Sequence, residues 1–336
     1  MPMSSLKKVV YLISLVMLAM LHSSFNAASL FVTEETQVDA LLNCMNELFG
    51  TIPIEISGLS KLIYLDLSLN KLSGEIPPQI RLLTNLEALR LGENQLNGSI
   101  PLEISHLMSL VYLSLHANDL RGCIPNSIGN LSNLAYLYLR NNQLSCSIPS
   151  EIGNLSNLID VDMKNNSLIG PIPSSIGNLE QLTWFYIYQN QISGSIPPEI
   201  GNLKSLNSLL LQTNNLSGSI PSSLGALSNL TFLHLFNNQL SGTIPKELGN
   251  LKSTTSLQLG RNHLNGTVPV SLGNLSHLEL LFHRDNQLSG PIPQEIGNLM
   301  KLAVLKLDTN HFTGLLPQNL CQSGSLRNLV HMTIIS

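Results

Sequence analysis

The sequence predicts an α/β solenoid, a curved superhelix with short parallel strands on its concave face and 3-10 or irregular segments on its convex face. Two observations predict this architecture. Prolines recur every 24 residues from Pro53 to Pro317, and asparagines keep the same spacing from Asn70 to Asn310. No insertion or deletion interrupts either series, and such a fixed period is the signature of stacked structural repeats.

Each 24-residue unit holds one strand, one turn and one outer segment. The alternation Leu89-Arg90-Leu91 predicts a short strand with its leucines pointing inward. The asparagine that follows is expected to turn the chain and to bond the backbone of neighbouring coils through its amide. Gly98 and its equivalents suit a turn with unusual backbone angles. One unit cannot close a core, so stacked units are expected to share a leucine spine.

Composition excludes several classes of function. The 336 residues carry a net charge of −4, and only 11% of them are charged, so no basic surface for nucleic acid is expected. Beyond the first two dozen positions, no run of 18 apolar residues predicts a membrane span. The histidines lack the spacing of metal ligands. We therefore expect no metal, no other cofactor and no nucleic-acid partner.

Residues 1–28 have the order of a secretory signal peptide. Lys7 and Lys8 precede an apolar run from Val9 to Leu21, and small residues near Ala28 offer a cleavage site. The alternative is a short membrane anchor, but the run is too short to span a bilayer comfortably. We predict a secreted chain, located at the cell wall or the plasma membrane surface.

The repeat resembles a known family. The sequences Asn238–Leu251 and Asn286–Leu299 follow the pattern N-x-L-S-G-x-I-P-x-x-I-G-N-L with few departures. This pattern resembles the plant-specific leucine-rich repeat found in ectodomains of plant receptor-like kinases, and the resemblance covers residues 46–326, about eleven full repeats. It implies extracellular recognition of a peptide or protein ligand in signalling or defence, with a leucine-rich repeat co-receptor as a second partner. A full-length relative would carry a serine/threonine kinase.

The ends depart from that family. Residues 29–45 resemble only the start of the usual cysteine-paired cap, and residues 327–336 form an incomplete repeat. We interpret the chain as a truncated receptor. The alternative function is a secreted inhibitor of a cell-wall hydrolase such as polygalacturonase, because plant inhibitors of that enzyme resemble this repeat too. Those inhibitors have cysteine-paired caps at both ends, which favours the receptor.

No catalytic constellation is present. His283-Arg284-Asp285 spells a kinase triplet, but the asparagine that the kinase motif requires five positions later is Gly290. The triplet also lies in register with the repeat, where His283 replaces a core leucine. Thr254 replaces another core leucine. We therefore predict a chain without enzymatic activity.

The predicted concave face carries most of the aromatic residues. Counted from the asparagine n of each repeat, positions n−6, n−4 and n−2 point outward, and six of the seven tyrosines and the only tryptophan occupy them. Strand propensity alone could explain this, but aromatic residues grouped on an exposed surface are typical binding anchors. The predicted ligand-binding residues are Tyr112, Tyr136, Tyr138, Arg140, Asp160, Asp162, Trp184, Tyr186, Tyr188, Phe232, His234, Phe236, Arg261 and Arg284.

The two arginines have a second interpretation. Arg261 and Arg284 lie in adjacent coils, so they could hold one ligand carboxylate between them. The favoured alternative pairs Arg284 with Asp285 or Asp308 in solvent.

Two kinds of covalent modification are predicted. Cys146 replaces a turn glycine, and Cys123 lies one residue past the same slot in the preceding coil, within reach of a disulfide. The alternative is two free thiols. Eight N-x-S/T sequons are candidate glycan acceptors in a secreted chain: Asn97, Asn130, Asn154, Asn165, Asn215, Asn229, Asn265 and Asn274.

Overall fold

A computed structural model describes residues 48–330 of the chain. The predicted signal peptide, the cap remnant and Cys44 lie outside the described residues. The chain divides after Leu158 into two compact units, called unit 1 and unit 2. Each unit is built of 24-residue coils that stack their strands in parallel, as the sequence predicts.

Unit 1 contains nine strands and five 3-10 helices, labelled β and η, among its described residues. They are β1 (Phe49–Thr51), η1 (Ile54–Gly58), β2 (Tyr64–Asp66), β3 (Lys71–Gly74), η2 (Pro78–Leu82), β4 (Ala88–Arg90), β5 (Gln95–Leu96), η3 (Leu102–His106), β6 (Tyr112–Ser114), β7 (Arg121–Cys123), η4 (Asn126–Asn130), β8 (Tyr136–Tyr138), β9 (Gln143–Ser145) and η5 (Ser150–Asn154).

Unit 2 repeats the same order of elements over its own described residues. They are β10 (Asp160–Asp162), η6 (Ser174–Asn178), β11 (Trp184–Tyr186), β12 (Ser193–Ser195), η7 (Pro198–Asn202), β13 (Ser208–Leu210), β14 (Asn215–Ser219), η8 (Ser222–Ala226), β15 (Phe232–His234), β16 (Gln239–Thr243), η9 (Lys246–Asn250), β17 (Ser256–Gln258), β18 (His263–Gly266), η10 (Val270–Asn274), β19 (Leu280–Phe282), β20 (Gln287–Gly290), η11 (Gln294–Asn298), β21 (Val304–Lys306), β22 (His311–Phe312) and β23 (Asn328–Val330).

Two parallel ladders run along the coils of each unit. In the first ladder, equivalent repeat positions pair directly, so Tyr64 lies beside Ala88 and Trp184 beside Ser208. A second ladder follows the asparagine turn, where the register shifts by two residues and Ser193 pairs with Asn215. The sequence analysis did not predict this second ladder. The direct register of the first ladder aligns positions n−6, n−4 and n−2 into continuous rows.

The core of each coil is a ring of aliphatic side chains. In one coil of unit 1, Leu89, Leu91, Leu96, Ile104 and Leu107 are all fully buried. Each buried leucine or isoleucine contributes about 1.5–3 kcal/mol relative to an exposed one. Because the ring repeats in every coil, the cores of successive coils join into the predicted leucine spine.

The asparagine ladder has the structural role that the sequence predicts. The Asn118 side-chain oxygen accepts a 2.9 Å hydrogen bond from the Leu96 amide of the preceding coil. Its Nδ2 donates to the Leu91 carbonyl at 3.0 Å and to the Leu115 carbonyl at 3.2 Å. Both the oxygen and the nitrogen of the buried amide therefore have hydrogen-bond partners, and these bonds link one coil to the next.

The outer segments are single 3-10 turns, and no α-helix occurs among residues 48–330. Each turn begins after an extended proline, and in one of them the Ile80 amide donates to the Pro77 carbonyl at 2.9 Å. Short runs of five residues between proline and the next coil favour this tighter helix. Near the end of η8, Gly225 has no room for a side chain, because a Cβ there would collide with the Glu247 carbonyl of the next coil.

The two core-leucine replacements are both fully buried, as the sequence predicts. They differ in how their polar atoms are satisfied. The Thr254 hydroxyl donates to the Leu230 carbonyl at 2.7 Å. Neither ring nitrogen of His283 has a hydrogen-bond partner.

Candidate ligand-binding face

The outward side of the first ladder is called the strand face. It consists of the side chains at positions n−6, n−4 and n−2, while positions n−5 and n−3 point into the core. In the coil of Trp184, for example, Phe185 is fully buried while Trp184 keeps 37% of its surface exposed. The strand face therefore presents three parallel rows of side chains in each unit.

The strand face of unit 1 carries a tyrosine–arginine cluster, formed by Tyr64, Arg90, Tyr112, Tyr136, Tyr138 and Arg140. The Arg90 guanidinium lies 4.5 Å from the ring centre of Tyr112 and 5.2 Å from that of Tyr64. The Tyr112 ring lies 5.6 Å from Tyr136 and meets Tyr138 edge-on at 5.4 Å. Each of the four tyrosine rings therefore contacts a neighbouring ring or an arginine.

Arg90 organises this cluster, and sequence reasoning missed it. It also pairs with Asp66, with 3.6 Å between Nη1 and Oδ2. Arg140 lies 5.6 Å from the Tyr138 ring centre in the same way. The signal that could have found Arg90 was its n−4 position, between two tyrosine-bearing coils.

The strand face of unit 2 carries an aromatic patch, formed by Trp184, Tyr186, Tyr188, Phe232, His234 and Phe236. Trp184 and Phe232 are exposed by 37% and 39%, although both are large apolar residues. Ser208 lies between them in register and is itself buried. A small residue between two large rings allows a continuous apolar surface across three strands.

His234 is held within the aromatic patch by a hydrogen bond and by two neighbouring rings. His234 Nε2 lies 2.9 Å from the Ser256 hydroxyl, and its ring lies 6.1 Å from Phe232 and 6.3 Å from Phe236. Burial lowers the pKa of His234 to about 4. Burial also raises the pKa of Tyr186, although its hydrogen bond to Ser208 opposes that shift. Near neutral pH the side chains of His234 and Tyr186 are therefore uncharged.

An ion pair borders the patch. Lys164 Nζ lies 3.3 Å from Asp162 Oδ2 and 5.3 Å from the Tyr188 ring centre. Burial lowers the pKa of Lys164, but Asp162 and Tyr188 outweigh that effect and raise it overall. The sequence places Asp162 at an outward position, whereas its side chain is buried in the structure. The carboxylate holds Lys164 in place, beside Tyr188.

The predicted arginine pair forms an ion-pair cluster with two aspartates. Arg284 Nε lies 2.9 Å from Asp285 Oδ2 and 3.8 Å from Asp308 Oδ2. Arg261 Nε reaches the same Asp285 oxygen at 3.4 Å. Burial raises the pKa of Asp285, but its hydrogen bonds with Arg284, Thr309 and Arg261 lower it overall. This geometry matches the favoured alternative, in which Arg284 pairs with the two aspartates.

Cys123 and Cys146 of unit 1 are bonded to each other in the structure. Their Cα atoms are 5.2 Å apart, within the usual range for a disulfide. Cys146 has a φ of +64°, and the equivalent Gly122 has a φ of +74°. Cys146 therefore takes a left-handed turn that glycine adopts in the neighbouring coils.

All eight sequon asparagines are exposed. None occupies the n−6, n−4 or n−2 rows. The Nδ2 of Asn229 donates to the Lys204 carbonyl at 2.9 Å. Asn133 and Asn157 make the same bond at the same repeat position, so this amide is part of a coil-to-coil ladder.

Residues 48–330 contain no helix with the length and apolar character that a membrane span requires. Over the same range, no three or more His, Cys, Asp or Glu side chains group as metal ligands do.

Family models match the repeats. A leucine-rich repeat region model matches residues 115–235, and a single leucine-rich repeat model matches residues 61–83, 85–107 and 229–251. Together they cover more than half of the chain. No curated protein matches it significantly.

Solved structures share the fold. The chain is 35% identical to a TDR receptor over 87% of its own length and 52% of that chain, with a TM-score of 0.81. It is 31% identical to the plant peptide hormone receptor RGFR1 in complex with RGF2, over 84% of its length and 53% of that chain, with a TM-score of 0.62. The chain spans about half the length of these two structures.

A bacterial structure is similar as well. The LRR protein LIC12759 of Leptospira interrogans is 34% identical, over 83% of this chain and 70% of that one, with a TM-score of 0.69. The shared repeat therefore does not by itself separate receptors from other proteins.

Proposed function

This chain belongs to the leucine-rich repeat family, and from that premise we propose that it is an extracellular recognition module with a peptide or protein ligand. We propose further that it belongs to a plant receptor-like kinase or receptor-like protein in signalling or defence. The similarity to a TDR receptor and to a plant peptide hormone receptor supports this proposal.

One observation carries the proposal: the exposed aromatic patch of unit 2. The leucine spine does not need these rings, since the core is complete beneath them. Large exposed rings on a rigid strand surface lose little entropy when a partner covers them, which makes them suitable anchors. An extended peptide could cross the strands here with its side chains against Trp184 and Phe232.

The sequons are consistent with this surface as the contact face. Glycans at the eight exposed asparagines would leave the three rows of the strand face uncovered. The Cys123–Cys146 disulfide suits the oxidising environment outside the cell. Both features support secretion, which the predicted signal peptide would direct.

The ion-pair cluster is a second contact point in this proposal. Asp285 holds both arginines through their Nε atoms. A ligand carboxylate would have to compete with Asp285 and Asp308. We therefore rank this contact below the aromatic patch.

The experiment is a selection of displayed random peptides on the secreted chain, followed by affinity measurement on variants. Trp184→Ala should weaken the enriched peptides by tenfold or more, with an unchanged unfolding midpoint. Val270→Ala is the matched control, because Val270 is an exposed apolar residue on η10 and not on the strand face. Equal affinity for wild type and Trp184→Ala would place the site elsewhere.

The alternative function, inhibition of a cell-wall hydrolase, has its own test. Purified polygalacturonase would be assayed with increasing amounts of the chain. Inhibition at stoichiometric amounts, together with no enriched peptide, would favour the inhibitor over the receptor module.

A further inference from the structure

His283 is a buried ionisable group that the proposed binding surface does not use. It occupies position n−3, where the neighbouring coils have Leu259 and Leu307, and none of its surface is exposed. Neither Nδ1 nor Nε2 makes a hydrogen bond. The imidazole therefore lies in an aliphatic spine with both of its polar atoms unsatisfied, which is an unfavourable state for a buried polar group.

No charge faces this imidazole. The ionisable side chains of its own coil and of the coils on both sides are all at least partly exposed, on the outer surfaces of the strands, turns and 3-10 helices. They are Lys252, Arg261, His263, His277, Glu279, Arg284, Asp285, Glu295, Lys301, Lys306, Asp308, His311 and Cys321. No carboxylate is therefore positioned to stabilise a protonated His283.

Thr254 shows that a polar replacement in this spine need not be unstable. Its hydroxyl donates to a backbone carbonyl of the preceding coil, so its buried polar atom is satisfied. Thr254 also carries no titratable group. The two replacements therefore differ both in hydrogen bonding and in their response to acid.

We propose that His283 is an acid-sensitive trigger, which opens the coils around it, residues 259–312, when the surroundings become mildly acidic. A proton on the imidazole would place an unpaired charge in an apolar core, which folded structure does not tolerate. Coils of a solenoid contact mainly their neighbours, so a local opening need not unfold the whole chain. This inference goes beyond the proposed binding function and does not depend on it.

The direction of the pH effect follows from linkage. Burial lowers the pKa of His283 to about 4, and the backbone of Phe282 opposes that shift without forming a hydrogen bond. An exposed histidine in the open state has a pKa of about 6.5. The open state thus binds more protons, so stability is fully present above about pH 6.5 and is lost as the pH falls towards 4. Between pH 7.5 and pH 5.0 the opening constant should rise about 30-fold.

Opening would also remove a strand-face feature. His283 precedes Arg284 and Asp285 directly, and its amide donates to the Lys306 carbonyl at 2.8 Å. Loss of that register would separate Arg284 from Asp308 of the next coil. Acid would therefore break the ion pairs of this cluster. The aromatic patch, which ends at Phe236, lies outside the opened residues.

The test is hydrogen exchange of the full chain at pH 7.5 and pH 5.0, corrected for the intrinsic exchange rate. Amides of residues 259–312 should lose about 30-fold of their protection at the lower pH. In His283→Leu, which restores the residue of the neighbouring coils, that acid-induced loss should be absent. Urea unfolding at both pH values gives an independent measure of the same difference.

Two matched controls separate titration from packing. Thr254→Leu also restores a core leucine, and it should change stability equally at both pH values. His277→Leu removes an exposed histidine of the same coil, and it should leave the acid effect intact. An equal loss of protection in wild type and His283→Leu, or no loss in wild type, would overturn the proposal.

Discussion

The tyrosine–arginine cluster of unit 1 and the aromatic patch of unit 2 occupy the same rows of the repeat, but their side chains are engaged differently. In unit 1, Arg90 lies against two tyrosine rings, and Tyr112 contacts two further rings. In unit 2, Trp184 forms no ring pair or cation–π contact with any described residue. The rings of the first region are therefore engaged with one another and with arginine, whereas Trp184 in the second region presents aromatic surface without such contacts, although its neighbours Phe232, His234 and Phe236 contact one another.

Aromatic content alone does not locate a binding site. Unit 1 contains more tyrosines than unit 2, but their rings contact one another and the arginines. A ligand at the cluster would have to displace these contacts, whereas a ligand at the patch only displaces water from Trp184 and Phe232. We therefore expect the cluster to stabilise unit 1 and the patch to bind.

The largest loss of stability is expected from truncating the core side chain that lies beneath each of the two regions. Phe185 and Leu113 occupy the same n−5 core position beneath the patch and the cluster, and both are fully buried. Phe185→Ala should destabilise unit 2 by about 3–5 kcal/mol, and Leu113→Ala should destabilise unit 1 by about 2–5 kcal/mol. Urea unfolding followed by circular dichroism measures both.

Phe185→Leu is the control for that comparison, because leucine occupies this position in most other coils. Phe185→Leu should lower the free energy of unfolding by less than about 1.5 kcal/mol. A loss under 1 kcal/mol in either alanine variant would mean that the two regions do not rest on equivalent cores.

The next effect belongs to unit 1 alone, because the disulfide lies there. Cys123→Ser should destabilise unit 1 by about 3 kcal/mol in the chain-entropy model. Cys146→Gly removes the same bond but places glycine in a left-handed turn with a φ of +64°. Because glycine adopts this conformation without steric cost, the loss of stability should be smaller by about 1 kcal/mol. Denaturant midpoints of the two variants give the comparison.

Mass mapping without reduction is the direct check on that bond. A linked peptide pair containing Cys123 and Cys146 is expected. Two alkylatable thiols at these positions would contradict the disulfide. In that case the stability losses predicted for the two variants from the missing bond would not be expected.

The third effect separates binding from stability. Trp184→Ala should weaken a bound peptide by about 2 kcal/mol and leave the unfolding midpoint unchanged, because the exposed side chain makes no ring contact with any described residue. Tyr112→Ala should have the opposite result, with reduced stability of unit 1 and unchanged affinity. Calorimetric titration of both variants with one enriched peptide provides the measurement, and an affinity loss in Tyr112→Ala alone would reverse our comparison.

The sequence could predict the parts of this fold that repeat in every coil. The 24-residue spacing was sufficient for the parallel strands, the asparagine ladder and the core positions of Thr254 and His283, because each coil imposes the same surroundings on the next. The rows of the strand face follow from the same alternation. Each of these features depends on position in the repeat and on little else.

Other features depend on particular neighbours, which periodicity does not specify. The residue before each ladder asparagine adopts a left-handed conformation, even where it is Leu69 or Thr213, and no glycine marks those positions. The burial of Asp162 depends on its pairing with Lys164. The free surface of Trp184 depends on Ser208 in the adjacent strand. The sequence contains these residues, but their contacts arise only when the coils stack.

The smallest expected effect measures the internal contacts of the cluster directly. Arg90 lies 4.5 Å from the Tyr112 ring centre on a partly exposed surface, where a cation–π contact contributes about 0.5–1 kcal/mol. A double-mutant cycle with Arg90→Met and Tyr112→Leu should give a coupling energy of that size in urea unfolding. The matched cycle in unit 2, with Trp184→Leu and Phe232→Leu, should give a coupling close to zero, because these rings are separated by Ser208. Equal coupling in both units would mean that the patch is as internally engaged as the cluster, and the binding site would then have to be sought outside it.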